Sequence, residues 1–312
     1  MRICSLIPSA TEMVFGLGKG SWLAGVSHEC DYPSEATKLP KVTHSKIPEG
    51  LSSSEIERAV RSALDSTGSL YDLDLELLES LRPDLILTQS LCDVCAVSYD
   101  AVREAAARLR SKPAVFDLNP HSLEDVFSDI GRLGEALGCE DAAESLVGQL
   151  QLRVEAVVRR TKDLDARPRV FCMEWVDPPF CGGHWMKELV EMAGGRDDLA
   201  QLHGPSRQIE WSRVLDFSPE VLVLTCCGFS LERCREEGAI LAQYEGFAKL
   251  PAARAGRIYA TDGSSYFSRP GPRLVDSLEI LAHLIHPERF AAPPLREAFA
   301  PLPIPRVASS RA

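Results

Sequence analysis

The stretch 122–164 is long and helix-patterned, and it constrains the fold more than any single motif. Before it, short apolar runs alternate with helical patterns. After it, the same alternation restarts at Arg169-Val170-Phe171-Cys172-Met173, so two similar halves flank a spacer. Gly138-Cys139 splits the spacer in two, and the second part, 140–164, sets Ala143, Leu146, Val147, Leu150, Val154, Val157 and Val158 at helical spacing. At about 1.5 Å per residue that part spans about 37 Å, enough to cross a small domain. A stiff rod between two lobes predicts a cleft, and the cleft is the expected place of function.

The chain has 312 residues, 45% of them hydrophobic, which is enough for two lobes with a core each. A net charge of -11 and a pI near 5.2 argue against a nucleic-acid or anionic-membrane surface, because phosphate binding needs clustered Lys and Arg and no such run occurs. An acidic surface suits a neutral or cationic ligand. Glu12 interrupts the apolar run that a signal peptide needs, and no stretch approaches the roughly 20 apolar residues of a membrane span. The expected location is therefore cytoplasmic as written, or periplasmic if the start codon is misassigned; an integral membrane protein is not expected. Ten cysteines in a reducing compartment are expected to be small buried hydrophobes, with a few as ligands.

Taken in order, 2–8 is a strand and turn, followed by a helix that Ser9 is expected to cap. The next strand, 22–27, ends in His28-Glu29-Cys30-Asp31-Tyr32-Pro33, a polar cluster at the edge of an open α/β sheet where ligands bind. The segment 34–54 reads as irregular. Arg82-Pro83-Asp84-Leu85-Ile86-Leu87-Thr88-Gln89 turns into a buried strand, and Ser218-Pro219-Glu220-Val221-Leu222-Val223-Leu224-Thr225 matches it closely, which points to an internal duplication. The predicted domains are 1–121 and 167–287, two α/β lobes, with 122–166 as linking helices and 288–312 as a proline-rich irregular tail.

Ile3-Cys4-Ser5-Leu6-Ile7-Pro8-Ser9-Ala10-Thr11-Glu12, the 28–33 cluster, the Pro-Asp-Leu-Ile-Leu strand at 83–87, the linking helix and Ser268-Arg269-Pro270-Gly271-Pro272-Arg273-Leu274 are similar to the cobalamin and iron-siderophore substrate-binding proteins of ABC importers. The resemblance covers roughly 2–286. It implies the helical-backbone metal-receptor fold of type III periplasmic binding proteins: two Rossmann-like lobes with central parallel sheets, joined by a single long backbone helix, with a ligand gripped between the lobes. It also implies a small-molecule or metal-chelate ligand and, for an exported form, an ABC permease as partner. Without a leader or lipid-attachment cysteine, the chain looks like a cytosolic branch of the family.

The residues at the strand ends carry the candidate chemistry. Cys92-Asp93-Val94-Cys95 has the two-residue gap that lets both thiolates reach one metal or close a reversible disulfide. Glu174 and His184, with Asp177 and Cys181 nearby, supply the imidazole, thiolate and carboxylate set that suits zinc, iron or cobalt. The metal set is therefore Cys92, Cys95, Glu174 and His184. Equally, His184 can bond within its loop and Glu174 can cap the segment after it. Ligand contacts are expected from His28, Glu29, Cys30, Gln89, Trp175, Trp185, Phe229, Tyr266, Phe267 and Arg269. His28 is a candidate axial ligand to a corrinoid cobalt, and the aromatic residues are candidate platforms for a flat macrocycle. Arg269 and Arg273 either hold a ligand anion or pair with Asp276 and Glu279. Of adjacent Cys226 and Cys227, at most one faces a ligand.

A binding protein for a corrinoid (cobalamin) or another metal complex is the leading expectation. The alternatives are a Cys/His protein for a transition metal such as zinc, or a thiol-redox or metal-dependent enzyme. No nucleophile elbow, phosphate-cradling loop or paired-histidine helix motif supports catalysis. No catalytic residues are expected.

Overall fold

A computed structural model describes residues 1–67, 69–91, 96–291 and 295–303. The chain divides into two compact units, Met1–Leu150 with Pro270–Pro272, and Gln151–Arg269 with Arg273–Ala312. The boundary falls inside the second linking helix, where a separate linker at 122–166 was expected.

Unit 1 contains β1 (Ile3–Ser5), α1 (Pro8–Gly16), β2 (Leu23–Val26), β3 (Thr43–Ser45), α2 (Ser53–Thr67), β4 (Tyr71–Leu73), α3 (Leu75–Leu81), β5 (Leu85–Gln89), α4 (Tyr99–Arg108), β6 (Ala114–Leu118) and α5 (Leu123–Leu137). Its main sheet has the order β2-β1-β5-β6, all parallel. Ile3, Cys4, Ile86 and Leu87 are fully buried, as strands covered on both faces must be, and this is why they read as unbroken apolar runs. The order reverses between β1 and β5, the switch point where such sheets open a crevice. α1 starts at Pro8, with Ile7 in the capping position. Proline preset for the first helical position displaces the start expected at Ser9, which lies inside the helix. The segment read as irregular supplies β3, paired antiparallel with β4.

α5 has a full capping box, Ser122 with Asp125, and ends at Gly138 in the left-handed conformation, φ 61°. α6 (Glu140–Thr161) follows at once. Its Ala143 packs so closely on α5 that a Cβ at Gly134 would lie 2.4 Å from the alanine methyl. The expected split at 138–139 is thus a true helix end with a tight corner.

Unit 2 continues with β7 (Val170–Trp175), β8 (Phe180–Cys181), α7 (Met186–Met192), β9 (Arg207–Gln208), α8 (Trp211–Phe217), β10 (Val221–Leu224), α9 (Leu231–Glu237), α10 (Pro251–Ala255), β11 (Ile258–Thr261), α11 (Leu274–Ile285) and β12 (Phe299–Pro301). The sheet order is β12-β11-β10-β7-β8-β9, with β7, β10 and β11 parallel. β12 pairs antiparallel with β11, so part of the expected irregular tail belongs to the sheet. Asp276 and Glu279 on α11 are held by Arg153 of α6, at 2.8 Å for Glu279.

The matching 82–89 and 218–225 segments share one device. Arg82 and Ser218 end their helices in the left-handed conformation, φ 46° and 55°, just before Pro83 and Pro219. In unit 1, Asp84 accepts from the Arg2 N–H at 2.7 Å, the Arg2 Nε–H donates to Leu81 O, and the Asp84 N–H returns to Arg2 O. In unit 2, Glu220 accepts from the Arg169 N–H at 2.9 Å, the Arg169 Nε–H donates to Ser218 O, and the Glu220 N–H returns to Arg169 O. Each clamp pins an arginine at the mouth of the first strand to the turn entering its neighbour. Glu220→Ala removes one charge-assisted bond, so urea unfolding of the variant should show a loss of about 1 kcal/mol.

Asp197 is the most buried carboxyl of unit 2, fully enclosed, and accepts the N–H groups of Cys172 in β7 and of Leu199 and Ala200. Burial outweighs these bonds and pushes its pKa up to about 7, from an ordinary value of 3.8. Its folded-state pKa exceeds the unfolded one, so its contribution to stability is complete below about pH 4 and is lost as pH rises through about 7. Asp197→Asn should flatten that part of the profile when melting temperature is followed from pH 4 to 8; an unchanged slope would contradict the assignment.

Candidate functional site

In unit 1 the carboxyl ends of β1 and β2 lead to Ser27, His28, Glu29 and Cys30. Thr43, on β3, organises them. Its Oγ1 accepts the His28 N–H at 3.1 Å, donates to Ser27 Oγ at 3.1 Å and lies 2.7 Å from His28 Nδ1. With the single hydroxyl proton directed to Ser27, the network assigns a proton to Nδ1 and leaves the lone pair on Nε2. Nε2 is buried, makes no hydrogen bond and lies 3.4 Å from Glu29 Oε1. A bare imidazole nitrogen facing a carboxylate is unfavourable until a proton or another electron-poor group sits there. Tyr71 of β4 packs beside the ring, centroids 5.5 Å apart. A small recess of about 10 Å³, room for about one water, lies here, lined by His28, Glu29, Thr43, Tyr71, Pro8 and Val97. A wider hollow, about 360 Å³ with Tyr99, Arg103 and Lys112, lies at the amino end of β6, away from the carboxyl-end edge where the polar cluster gathers.

Of the other unit 1 candidates, Glu29 is exposed and Gln89 is buried at the end of β5. Cys30, expected as a ligand contact, is 1% exposed, with its sulfur 3.1 Å from Thr11 Oγ1, which donates to Ser5 Oγ at 2.9 Å. That chain ties α1 to the loop. Cys92 and Cys95 lie outside the described residues. Among the described residues, no three His, Cys, Asp or Glu side chains gather as a metal-binding group.

In unit 2, Glu174 Oε1 accepts the Gly183 N–H at 3.0 Å, and His184, left-handed at φ 49°, bonds through its backbone to Gly204 and His203. Both hold their own loop together, the alternative weighed from the sequence. Trp185 and Phe267, expected as stacking surfaces, are 5% and 2% exposed, and the Trp185 Nε1–H donates to Phe267 O at 3.0 Å. Burying the indole satisfies its N–H inside the unit, so these two rings are packing groups. Trp175 stays half-buried, 4.8 Å from the Phe229 ring, and the Arg233 guanidinium lies 5.1 Å over Phe229. Tyr266 is half-buried beneath Arg273, 5.4 Å away. Arg269, 5% exposed, donates to Ser264 Oγ at 3.2 Å. Cys226 is buried and Cys227 exposed, the alternation expected of neighbours leaving a strand.

The sequence reading missed Thr43, Tyr71 and Tyr244. The Tyr244 hydroxyl donates to Val176 O at 2.7 Å and fixes the turn after Trp175. Burial first, then the charge of Asp177, pushes its phenol up to about 12, so it remains a donor. Neither strand pairing of β3 with β4 nor the reach of Tyr244 across 68 positions leaves a local signal.

The architecture is similar to solved receptors. The apo periplasmic heme-binding protein RhuT from Roseiflexus sp. RS-1 superposes with a TM-score of 0.69 at 22% identity, covering 92% of this chain and 98% of that one. The periplasmic vitamin B12-binding protein BtuF of Vibrio cholerae gives 0.65 at 22% identity, covering 91% and 96%. Among curated relatives, the uncharacterized ABC transporter substrate-binding lipoprotein YvrC of Bacillus subtilis is 24% identical over 93% of this chain and 81% of its own length. A vitamin B12-binding protein of Vibrio cholerae is 22% identical over 89% and 86%. The family model described as periplasmic binding protein matches residues 3–264. The chain therefore belongs to the periplasmic binding protein family, as a substrate-binding receptor and not an enzyme.

Proposed function

We propose that the protein binds a corrinoid or a related planar metal chelate, with His28 Nε2 meeting the metal or its axial group. The observation that carries this reading is the state of His28: Thr43 fixes its tautomer, and its buried Nε2, which makes no hydrogen bond, lies 3.4 Å from Glu29 Oε1. A cobalt or iron centre carried in by a chelate supplies the electron-poor group that Nε2 lacks. The net charge of -11 disfavours a polyanionic ligand. The B12-binding and heme-binding relatives support the ligand class. Zinc has no support from those relatives. A cytoplasmic location is part of the same proposal, with the periplasm and an ABC permease as partner if translation starts upstream; cell fractionation decides between them.

Titration with hydroxocobalamin, cyanocobalamin and haemin, followed in the visible spectrum, should show saturable binding with an axial-ligand shift for at least one of them. No shift and no binding at roughly tens of micromolar, a range that still admits about 6 kcal/mol of affinity, overturns the proposal. His28→Ala should abolish the spectral shift and weaken binding about tenfold, near 1.4 kcal/mol.

A further inference from the structure

The carboxyl end of the unit 1 sheet holds a second polar group that the His28 network does not use. Thr88 and Asp117 are register partners on the neighbouring parallel strands β5 and β6, so their side chains leave the same face of the sheet. Ser90, two residues beyond Thr88, is exposed, and its hydroxyl donates to Asp117 Oδ2 at 2.7 Å. Asp117 Oδ1 and Thr88 Oγ1 are buried and make no hydrogen bond, and Thr88 is fully enclosed. The carboxylate also has no cation: among the described residues, no Lys, Arg or His nitrogen lies within ion-pair distance of it. Arg132 spends its guanidinium on Asp129 Oδ1, at 2.6 Å, and on the main-chain O of Asp117, at 3.3 Å. A carboxylate has about four acceptor sites, so with one hydroxyl bond Asp117 keeps capacity for N–H donors. The field here stays negative: burial first, then the charges of Asp125 and Asp117, push the Asp129 carboxyl up to about 6 against the pull of Arg132.

We propose that Asp117 and Ser90 form a subsite for a carboxamide at the periphery of the ligand, which makes the ligand an amide-bearing corrinoid and not a carboxylate-bearing porphyrin. This rests on the reading that His28 meets a metal chelate, and it names the class of chelate. A primary amide matches the pair. Its N–H donates to Asp117 Oδ2, and the Ser90 hydroxyl, released from that oxygen, donates to the amide C=O. The exchange takes place at an exposed hydrogen bond, so it needs no opening of the core. A free carboxylate in the same position brings a second negative charge and no proton, and Asp117 repels it. The placement suits a macrocycle. His28 follows β2 and Asp117 lies near the end of β6, the two outer strands of the order β2-β1-β5-β6, which puts them about 14 Å apart along one edge at about 4.8 Å per strand. Glu29, beside His28, adds a second carboxylate to that edge.

The test is calorimetric titration of the full chain with three probes: cyanocobinamide, whose corrin carries amides, cyanocobyrinic acid, whose corrin carries carboxylates in their place, and haemin. Cobinamide should bind at least about tenfold more tightly than either acid. Asp117→Asn should narrow that ratio by strengthening the binding of cobyrinic acid, because it removes the charge and keeps an acceptor for the amide. Added salt should narrow it in the unsubstituted chain as well, by screening the repulsion, and this measurement stands even if the variant fails to fold. Equal or tighter binding of cobyrinic acid or haemin overturns the subsite while leaving a chelate receptor in place. A ratio unchanged both by Asp117→Asn and by salt does the same. If none of the three probes binds, the receptor reading falls, and the subsite falls with it.

Discussion

The structure depends on the arginine clamp at the amino end of each parallel sheet. A strand pair slips by one residue at the cost of turning every side chain to the wrong face, and apolar strands buried on both sides give little resistance of their own. Arg2 with Asp84, and Arg169 with Glu220, supply it by joining the start of one strand to the turn into the next with both a carboxylate and main-chain bonds. Register settled at one end determines which residues emerge at the other: Ser5 and Gln89 in unit 1, Trp175 and Thr225 in unit 2.

At the opposite edge of unit 1, packing leaves a residual demand. Thr43 commits its proton to Ser27 and receives one from His28 Nδ1, so the second imidazole nitrogen faces Glu29 with electrons to offer and nothing to accept them. Most buried polar atoms are satisfied within their fold, and one that is not invites a partner from outside. In unit 2 the Glu174 carboxylate and the His184 main chain hold their own loop, the Trp185 indole N–H donates to Phe267 O, and Trp175 and Tyr266 stay partly open.

Much of the fold was legible because parallel strands and their covering helices write themselves as apolar runs and helical spacing. The duplication was legible through Pro83-Asp84 and Pro219-Glu220, whose match extends to hydrogen bonds. Of the candidate site, what reads directly from the sequence is position: His28 follows β2 and Trp175 ends β7. Burial was not: Trp175 and Trp185 are the same residue type ten positions apart, and only three-dimensional packing separates the enclosed one from the open one. Thr43 and Tyr71 escaped because strands of three residues, paired across a long insertion, carry no pattern of their own. The tail defied its prolines in the same way, with β12 finding an edge of the sheet that composition alone does not reveal.

The clamps and the loops that follow the strands occupy opposite ends of the same sheets. Stability is thereby lodged where chemistry is not, and substitutions at 27–30 or 226–233 leave the anchoring arginines untouched. A scaffold partitioned this way can acquire a new cargo by redrafting its loops while its frame stays under separate selection.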